Sequence, residues 1–225
     1  YNRIKVADLE TNQPNKTLAT NENGELEFID ISENLSDPVS ATTLGIVDNT
    51  SLQELGGVDK TINGIRIGKG NSDIANNTAL GYLTLTNNTT GNSNTSVGSK
   101  SMHINTTGIR NTAVGTSSMY NNITGSRNTT IGSTSLYYNT EGSSNVSVGS
   151  SALYKNTTGS FNIAMGGSGA LNNNTTGTDN VAIGTSSLYH SITGSNNTAL
   201  GSGTLCGVLN TTNGSNERNI AVGGF

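Results

Sequence analysis

From Asn77 to Gly223, single aliphatic residues stand among small polar ones in a five-residue unit, Asn-x-small-aliphatic-Gly, that recurs nine times. The copies begin at Asn77, Asn94, Asn111, Asn128, Asn145, Asn162, Asn180, Asn197 and Asn219, in steps of 17 residues except for one of 18 (from Asn162) and one of 22 (from Asn197). The second position is β-branched throughout, from Thr78 to Ile220, and the fourth is aliphatic or Met, from Leu80 to Val222. Residues two apart on an extended chain share a face, so these two positions form a short apolar stripe. Ala, Ser or Thr at the third position lets the other face approach a neighbour closely. Four residues after the closing Gly stands a second apolar site: Leu85, Met102, Met119, Leu136, Leu153, Leu188 and Leu205, with Leu171 one place later in the 18-residue copy. A further Gly precedes the closing one by seven residues, from Gly91 to Gly194.

A fixed period of this kind decides the architecture. Seventeen extended residues at ~3.3 Å each span about 56 Å, enough for one flattened turn of short strands and tight bends. That is too short for a propeller blade or a helix pair, and the Gly, Asn, Thr and Val content disfavours helix. The expected fold is therefore all-β: a parallel β-solenoid, or β-roll, of about nine 17-residue coils. Coils stacked ~4.8 Å apart make a rod of roughly 40 Å. Identical Asn side chains one coil apart are placed to hydrogen-bond in a ladder, and Gly supplies positive φ at the corners. One coil buries about four apolar side chains on this reading, too few to stand alone. The thin core leads us to expect chains associated side by side, most simply three around an axis.

Residues 1–60 read as a connector or attachment region and 61–225 as the solenoid. Lys16–Thr20 and Glu25–Ile31 flank the turn signal Asn23-Gly24 and predict a β-hairpin. Residues 50–55 carry a weak helical signal, and Thr61–Gly68, with Ile65 and Ile67 alternating, reads as a degenerate first coil.

The NTAVG and NVAIG units, with the intervening Ser-Leu-Tyr-x-Asn-x-Thr-Gly, resemble the head repeats of trimeric autotransporter adhesins and, more closely, related repeats in bacteriophage tail fibres. The stretch Thr61–Gly70 (TINGIRIGKG) leading to Asn77 is also similar to fibre sequences that precede such arrays. The resemblance covers roughly residues 61–223. It implies a left-handed parallel β-roll assembled as a homotrimer, on a virion tail fibre or, alternatively, on a bacterial cell surface. In the fibre reading the N-terminal part meets other tail or baseplate proteins, and the rod is a spacer that also serves host-cell attachment.

Composition narrows the function classes further. The 225 residues include 34 Asn and 29 Gly, and only 12% are charged. Charge is lopsided: residues 1–67 hold 11 of the 15 acidic side chains and residues 68–225 only 4. One Cys excludes an intrachain disulfide framework. The net charge of −4 argues against a nucleic-acid footprint, and no apolar run reaches the ~20 residues of a membrane-spanning helix. The chain begins at Tyr1 rather than Met and reads as a fragment or processed form.

No catalytic, metal or cofactor residue is expected, and the chain does not read as an enzyme. His103 and His190 lie five coils apart, too far to share a metal. Glu141 and Asp179, the nearest carboxylates of the array, are two coils apart at non-equivalent positions, which disfavours the paired acids of a glycosidase. Tyr120, Tyr137, Tyr154 and Tyr189 all stand five residues after a closing Gly and predict an aromatic column. It packs at a coil corner or between chains, or it offers stacking surfaces to sugar rings. Arg110 and Arg127, equivalent in adjacent coils, are candidate contacts for an anionic host glycan.

Overall fold

The computed structural model describes residues 16–20, 26–30, 59–70, 74, 76–207 and 218–224, and divides the chain into two units, Tyr1–Gly56 and Gly57–Phe225. In the first unit, β1 (Lys16–Thr20) and β2 (Leu26–Asp30) pair antiparallel with Lys16 opposite Asp30 and Thr20 opposite Leu26. This is the hairpin expected from the two segments that flank the turn signal Asn23-Gly24. Asn23-Gly24 and the stretch 50–55 lie outside the described residues.

The second unit is one eleven-stranded sheet running in sequence order. Nine of its strands are the five-residue units: β5 (Thr78–Gly81), β6 (Thr95–Val97), β7 (Thr112–Val114), β8 (Thr129–Ile131), β9 (Val146–Val148), β10 (Ile163–Met165), β11 (Val181–Ile183), β12 (Thr198–Leu200) and β13 (Ile220–Val222). Each pairs parallel with the next, in a register that sets Thr78 beside Thr95 and Thr112 beside Thr129. The chain therefore advances one strand per repeat, as a β-solenoid must. Seven coils, from Asn77 to the residue before Asn197, are described throughout, and no helix occurs among the described residues.

The interior is narrower than the sequence pattern suggests. The third position of the strand points inward and is fully buried (Ala113, Ser147, Ala164, Ala182), together with the apolar site after the Gly (Met119, Leu136, Leu153, Leu188). The residues at positions two and four face outward; Ile131 is 46% exposed and Met165 40%. Each coil thus buries about two apolar side chains rather than four. Across a lumen this thin only Ala, Ser or Thr fits opposite Leu or Met. Where both inward small positions carry a hydroxyl, the two meet: Ser118 Oγ lies 2.6 Å from Thr130 Oγ1 of the next coil and Ser135 Oγ donates to Ser147 Oγ at 2.7 Å, whereas Ser101, opposite Ala113, donates to the Ala113 carbonyl at 3.2 Å. Where Ala152 removes the hydroxyl, its neighbour one coil on is Ala164, so no polar atom is left over.

Two buried Asn ladders take the place of a conventional core. In the first, the unit's Asn accepts through Oδ1 from the backbone N–H of the next Asn, as from Asn111 to Asn94 and from Asn128 to Asn111, both at 2.9 Å. The second runs Asn88, Asn105, Asn122, Asn139, Asn156, Asn174, each Nδ2 donating to the preceding Oδ1 at 2.7–2.8 Å. Both ladders also donate to the carbonyl of the coil's other Gly; Gly125 receives Asn111 at 2.8 Å and Asn122 at 2.9 Å. Satisfied buried amides rigidify such an interior, whereas unpaired ones cost about 1–3 kcal/mol each.

Glycine has two separate roles here. The closing Gly takes positive φ in every unit except that of Gly166, as at Gly115 (136°). The other Gly does not; it is required by close approach, since a Cβ on Gly125 would lie 2.5 Å from the Gly142 oxygen and 2.6 Å from Asn139 Nδ2. Most left-handed corners fall on residues with side chains, including the buried Met119 (φ 55°) and Leu136 (φ 52°) and the corner residues Arg110 and Arg127. Each such residue costs about 1–2 kcal/mol locally, a strain that only the stacked neighbours can hold in place.

The segment before the array is not a degenerate first coil. β3 (Lys60–Ile62) and β4 (Ile65–Gly68) form an antiparallel hairpin, and β4 lies antiparallel on β5. Asn63 and Gly64, both at positive φ (49° and 80°), make the two-residue turn that suits the twist of a hairpin. The Asp59 carboxylate accepts from the Lys69 and Gly70 N–H groups at 2.6 and 2.9 Å and pairs with Arg66 at 3.4 Å. The hairpin therefore covers the first parallel strand, as a cap does for a solenoid.

The second ladder breaks at Ser191, which stands where the other coils carry Asn. Asn174 Oδ1 and Ser191 Oγ are buried there without a hydrogen-bond partner. Ser191→Asn would donate to Asn174 Oδ1 and to the Gly194 carbonyl. We expect it to stabilise the fold by about 1 kcal/mol, a rise of ~2–4 °C in the thermal midpoint by circular dichroism; an unchanged or lower midpoint would refute this account of the ladder.

Candidate functional site

The tyrosines at the fifth place after the Gly do form a column. His103, Tyr120, Tyr137 and Tyr154 succeed one another with ring centroids 5.1, 5.1 and 5.4 Å apart. Tyr120 and Tyr137 are stacked at 10°, and His103 is fixed by its Nδ1 at 2.9 Å from the Leu83 carbonyl oxygen. The spacing follows from the parallel register, because equivalent positions repeat at the distance between strands. Asn172 interrupts the column in the 18-residue coil and donates to the Ser151 carbonyl at 2.9 Å, so Tyr189 stands apart. Stacking commits the faces of Tyr120 and Tyr137 to each other. Burial raises the Tyr137 phenol above its ordinary pKa, and the neighbouring Tyr120 and Tyr138 phenols add to it. Tyr154 is raised by burial, then by a hydrogen bond with Tyr138 and by the charges of Tyr138 and Tyr137.

Arg110 and Arg127 stand exposed at the left-handed corner immediately before the unit's Asn, and neither makes an ion pair among the described residues. Neither they nor the four tyrosines line the main concavity of the rod. That concavity is an open groove of about 730 Å³ bounded by Ile104, Asn121, Ile123, Tyr138, Thr140, Lys155, Thr157 and Thr175. It continues into a smaller hollow of about 350 Å³ through Lys155, Asn173, Thr175, His190 and Ile192. These residues occupy the two outward positions on either side of the inward Asn of the second ladder. Burying that amide splays its neighbours outward, and repetition from coil to coil turns the splay into a longitudinal channel. Sequence reasoning missed it because residue types vary along both positions; Asn121, Tyr138, Lys155 and Asn173 are equivalent in space and unlike in chemistry.

Tyr138 is the one aromatic residue of the groove. It stands edge-on to Tyr137 (76°, 4.8 Å) and Tyr154 (80°, 5.1 Å), outside the stack, and is 44% exposed. No group of three His, Cys, Asp or Glu side chains among the described residues is placed to hold a metal ion. No helix among them is long and apolar enough to cross a membrane.

A third surface is the outer face of the parallel sheet. Leu80, Val114, Ile131, Met165 and Ile183 are each 36–46% exposed. Over eight steps of ~4.8 Å they belong to an aliphatic strip about 38 Å long. No protein-family model, curated protein or solved structure matches the chain. The fold itself, a β-solenoid of Asn-laddered coils, is compatible with a fibre-like structural protein or an adhesin.

Proposed function

We propose that the chain is a structural segment of a tail fibre of a phage or similar particle, a homotrimeric rod that acts as a rigid spacer and serves host-cell attachment outside the cell. The aliphatic strip on the outer sheet face carries this reading. A continuous apolar band of this length on a lone chain is unfavourable in water and marks an interaction surface. Its repeat matches only another surface with the same period, which a second copy of this chain supplies. Three strips facing a common axis would exclude water from all of them. In this assembly the N-terminal unit joins other tail or baseplate proteins. The rod transmits position by stiffness and offers repeated weak contacts, which raise avidity without a catalytic residue.

Sedimentation equilibrium tests the assembly: the expected mass is three times 23.1 kDa. Ile131→Asp, on the outer face of β8, is expected to give a monomer with an unchanged β-sheet circular dichroism spectrum. A wild-type monomer at ~50 µM, far above the Kd of a stable interface, would refute the trimer. Immunogold labelling with an antibody against the solenoid tests the location. Gold on particle appendages supports the fibre; gold on the bacterial envelope alone replaces it with a surface adhesin.

A further inference from the structure

We propose that the longitudinal groove centred on Tyr138 and Lys155 is a binding site for a linear acidic oligosaccharide, a site that rests on the attachment reading above and gives it a ligand class. The groove is elongated along the rod. Its linings run from Ile104 to Ile192, five coils apart, which at ~4.8 Å per coil is about 24 Å. It therefore fits an extended polymer better than a compact molecule.

The hydrogen-bonding state of the walls defines the ligand. Thr140, Thr157 and Thr175 each donate their hydroxyl proton to a carbonyl of the next coil, at 3.2, 3.0 and 3.1 Å. Asn121 and Asn173 donate through Nδ2 to the Tyr137 and Tyr189 carbonyls at 3.1 and 3.0 Å. The threonine protons are committed to the fold and leave their hydroxyl oxygens as acceptors, whereas each amide keeps its oxygen as an acceptor and a second N–H as a donor. A wall of fixed hydroxyl acceptors with an N–H donor on each amide suits hydroxyl groups repeated along a chain, which both donate and accept. Ile104, Ile123 and the unstacked Tyr138 ring supply apolar surface of the kind that covers a pyranose face.

Charge decides between neutral and acidic sugars. Lys155 lies at the junction of the two hollows and makes no ion pair among the described residues, and no carboxylate lines either hollow. Glu141 follows the lining residue Thr140 but is not part of the wall. An ammonium set among acceptors without a carboxylate attracts an anionic group, most simply the carboxylate of a uronic or sialic acid. The groove shares no residue with the outer sheet strip, so trimer assembly through that strip would not consume these side chains.

The test is calorimetric titration of the full chain with hexasaccharides of polygalacturonate, hyaluronate and alginate, with cellohexaose as the neutral comparator, at low ionic strength. At least one acidic hexamer should bind about tenfold more tightly than cellohexaose, the effect of one charge-assisted contact. Tyr138→Ala and Lys155→Glu should each weaken it by about tenfold or more, and Lys155→Arg should retain it. Lys155 is exposed and its variants should not move the circular dichroism melt, whereas Tyr138→Ala, which loses its edge contacts with Tyr137 and Tyr154, should lower it by only a few degrees. Failure of every acidic hexamer to distinguish wild type from Lys155→Glu overturns the proposal, as does equal binding of cellohexaose. Sedimentation of the same samples separates the two readings: a trimer that binds no hexamer refutes the groove alone, and a monomer that binds one refutes the assembly alone.

Discussion

Gly115→Ala is expected to lower the thermal midpoint by about 10 °C, a large loss for a single added methyl group. The closing Gly of each unit sits at φ 136° in this copy, a conformation that residues with a Cβ avoid. The methyl group would also stand 2.5 Å from the Gly132 carbonyl oxygen and 2.7 Å from its carbon, one coil away. Neither obstacle is the movable end of a side chain; both are backbone held in the same ladder. Backbone strain of about 1–3 kcal/mol and overpacking of a similar size together give about 4 kcal/mol, or ~8–16 °C for a domain of this length. Gly167→Ala is the control. That residue lies outside positive φ, and its added Cβ meets nothing within 4 Å, so the midpoint should stay within ~2 °C of wild type. Because coils contact only their neighbours, the lesion should act locally. Amide exchange should accelerate first in the coils that hold Gly115 and Gly132. Equal midpoints for the two variants would mean that the coils are not stacked at this distance.

The coil length, the parallel register and the Asn ladder were legible because each depends on a residue type repeated at one spacing. The direction of the strand faces was harder to read. By hydrophobicity the Val146–Val148 pair belongs inside and Ser147 outside, but the structure buries Ser147 and leaves the valines half exposed. Hydrophobic patterning assumes a roomy core, and this lumen takes an Ala, Ser or Thr opposite a Leu or Met and nothing larger. The apolar side chains displaced from it are the ones that make the outer strip, so the misread face and the interaction surface have one cause. The corners were also hidden. A left-handed Met119 or Leu136 runs against residue preference, and only the hydrogen bonds of the stacked coils impose it, such as Met119 N–H to Ser135 O at 2.8 Å. The hairpin cap, by contrast, had a signal: Asn63-Gly64 is the same turn pair that marked the first hairpin, and the Ile65 and Ile67 alternation obscured it. Of the candidate site, the tyrosine column was legible from its spacing. The groove was not, since it is made by the backbone and merely decorated by unlike side chains.

Substituting Asn128 should separate the two things that its amide does. Its Oδ1 accepts the Asn145 backbone N–H at 2.9 Å and Asn145 Nδ2 at 3.1 Å, while its Nδ2 donates to the Gly142 carbonyl at 2.9 Å. Asn128→Ala leaves the buried Asn145 N–H without an acceptor, though Gly142 keeps its bond from Asn139 at 2.9 Å. The orphaned backbone N–H, the lost bond from Asn145 Nδ2 and the small void should cost about 3 kcal/mol. Asn128→Asp preserves the acceptor and reverses the donor. At neutral pH a buried carboxylate would then face the Gly142 carbonyl and the Asn111 Oδ1, acceptor against acceptor, and should destabilise the rod more than Ala does. Burial and these oxygens both raise its folded pKa above the unfolded value near ~3.9. Stability held by the protonated acid is therefore fully present below the unfolded pKa and is lost as pH rises through the folded one. Protonated, the Asp hydroxyl donates to Gly142 and restores the rung. The Asp variant should accordingly melt below the Ala variant at pH 7 and above it near pH 3. An offset between the two that does not change with pH would show that the ladder needs only the shape of the side chain and not its proton. The same chemistry accounts for Asn rather than Asp at this position in all nine units: a column of ions spaced at the strand repeat would repel along its whole length, while a column of amides gives every oxygen a donor from the next coil.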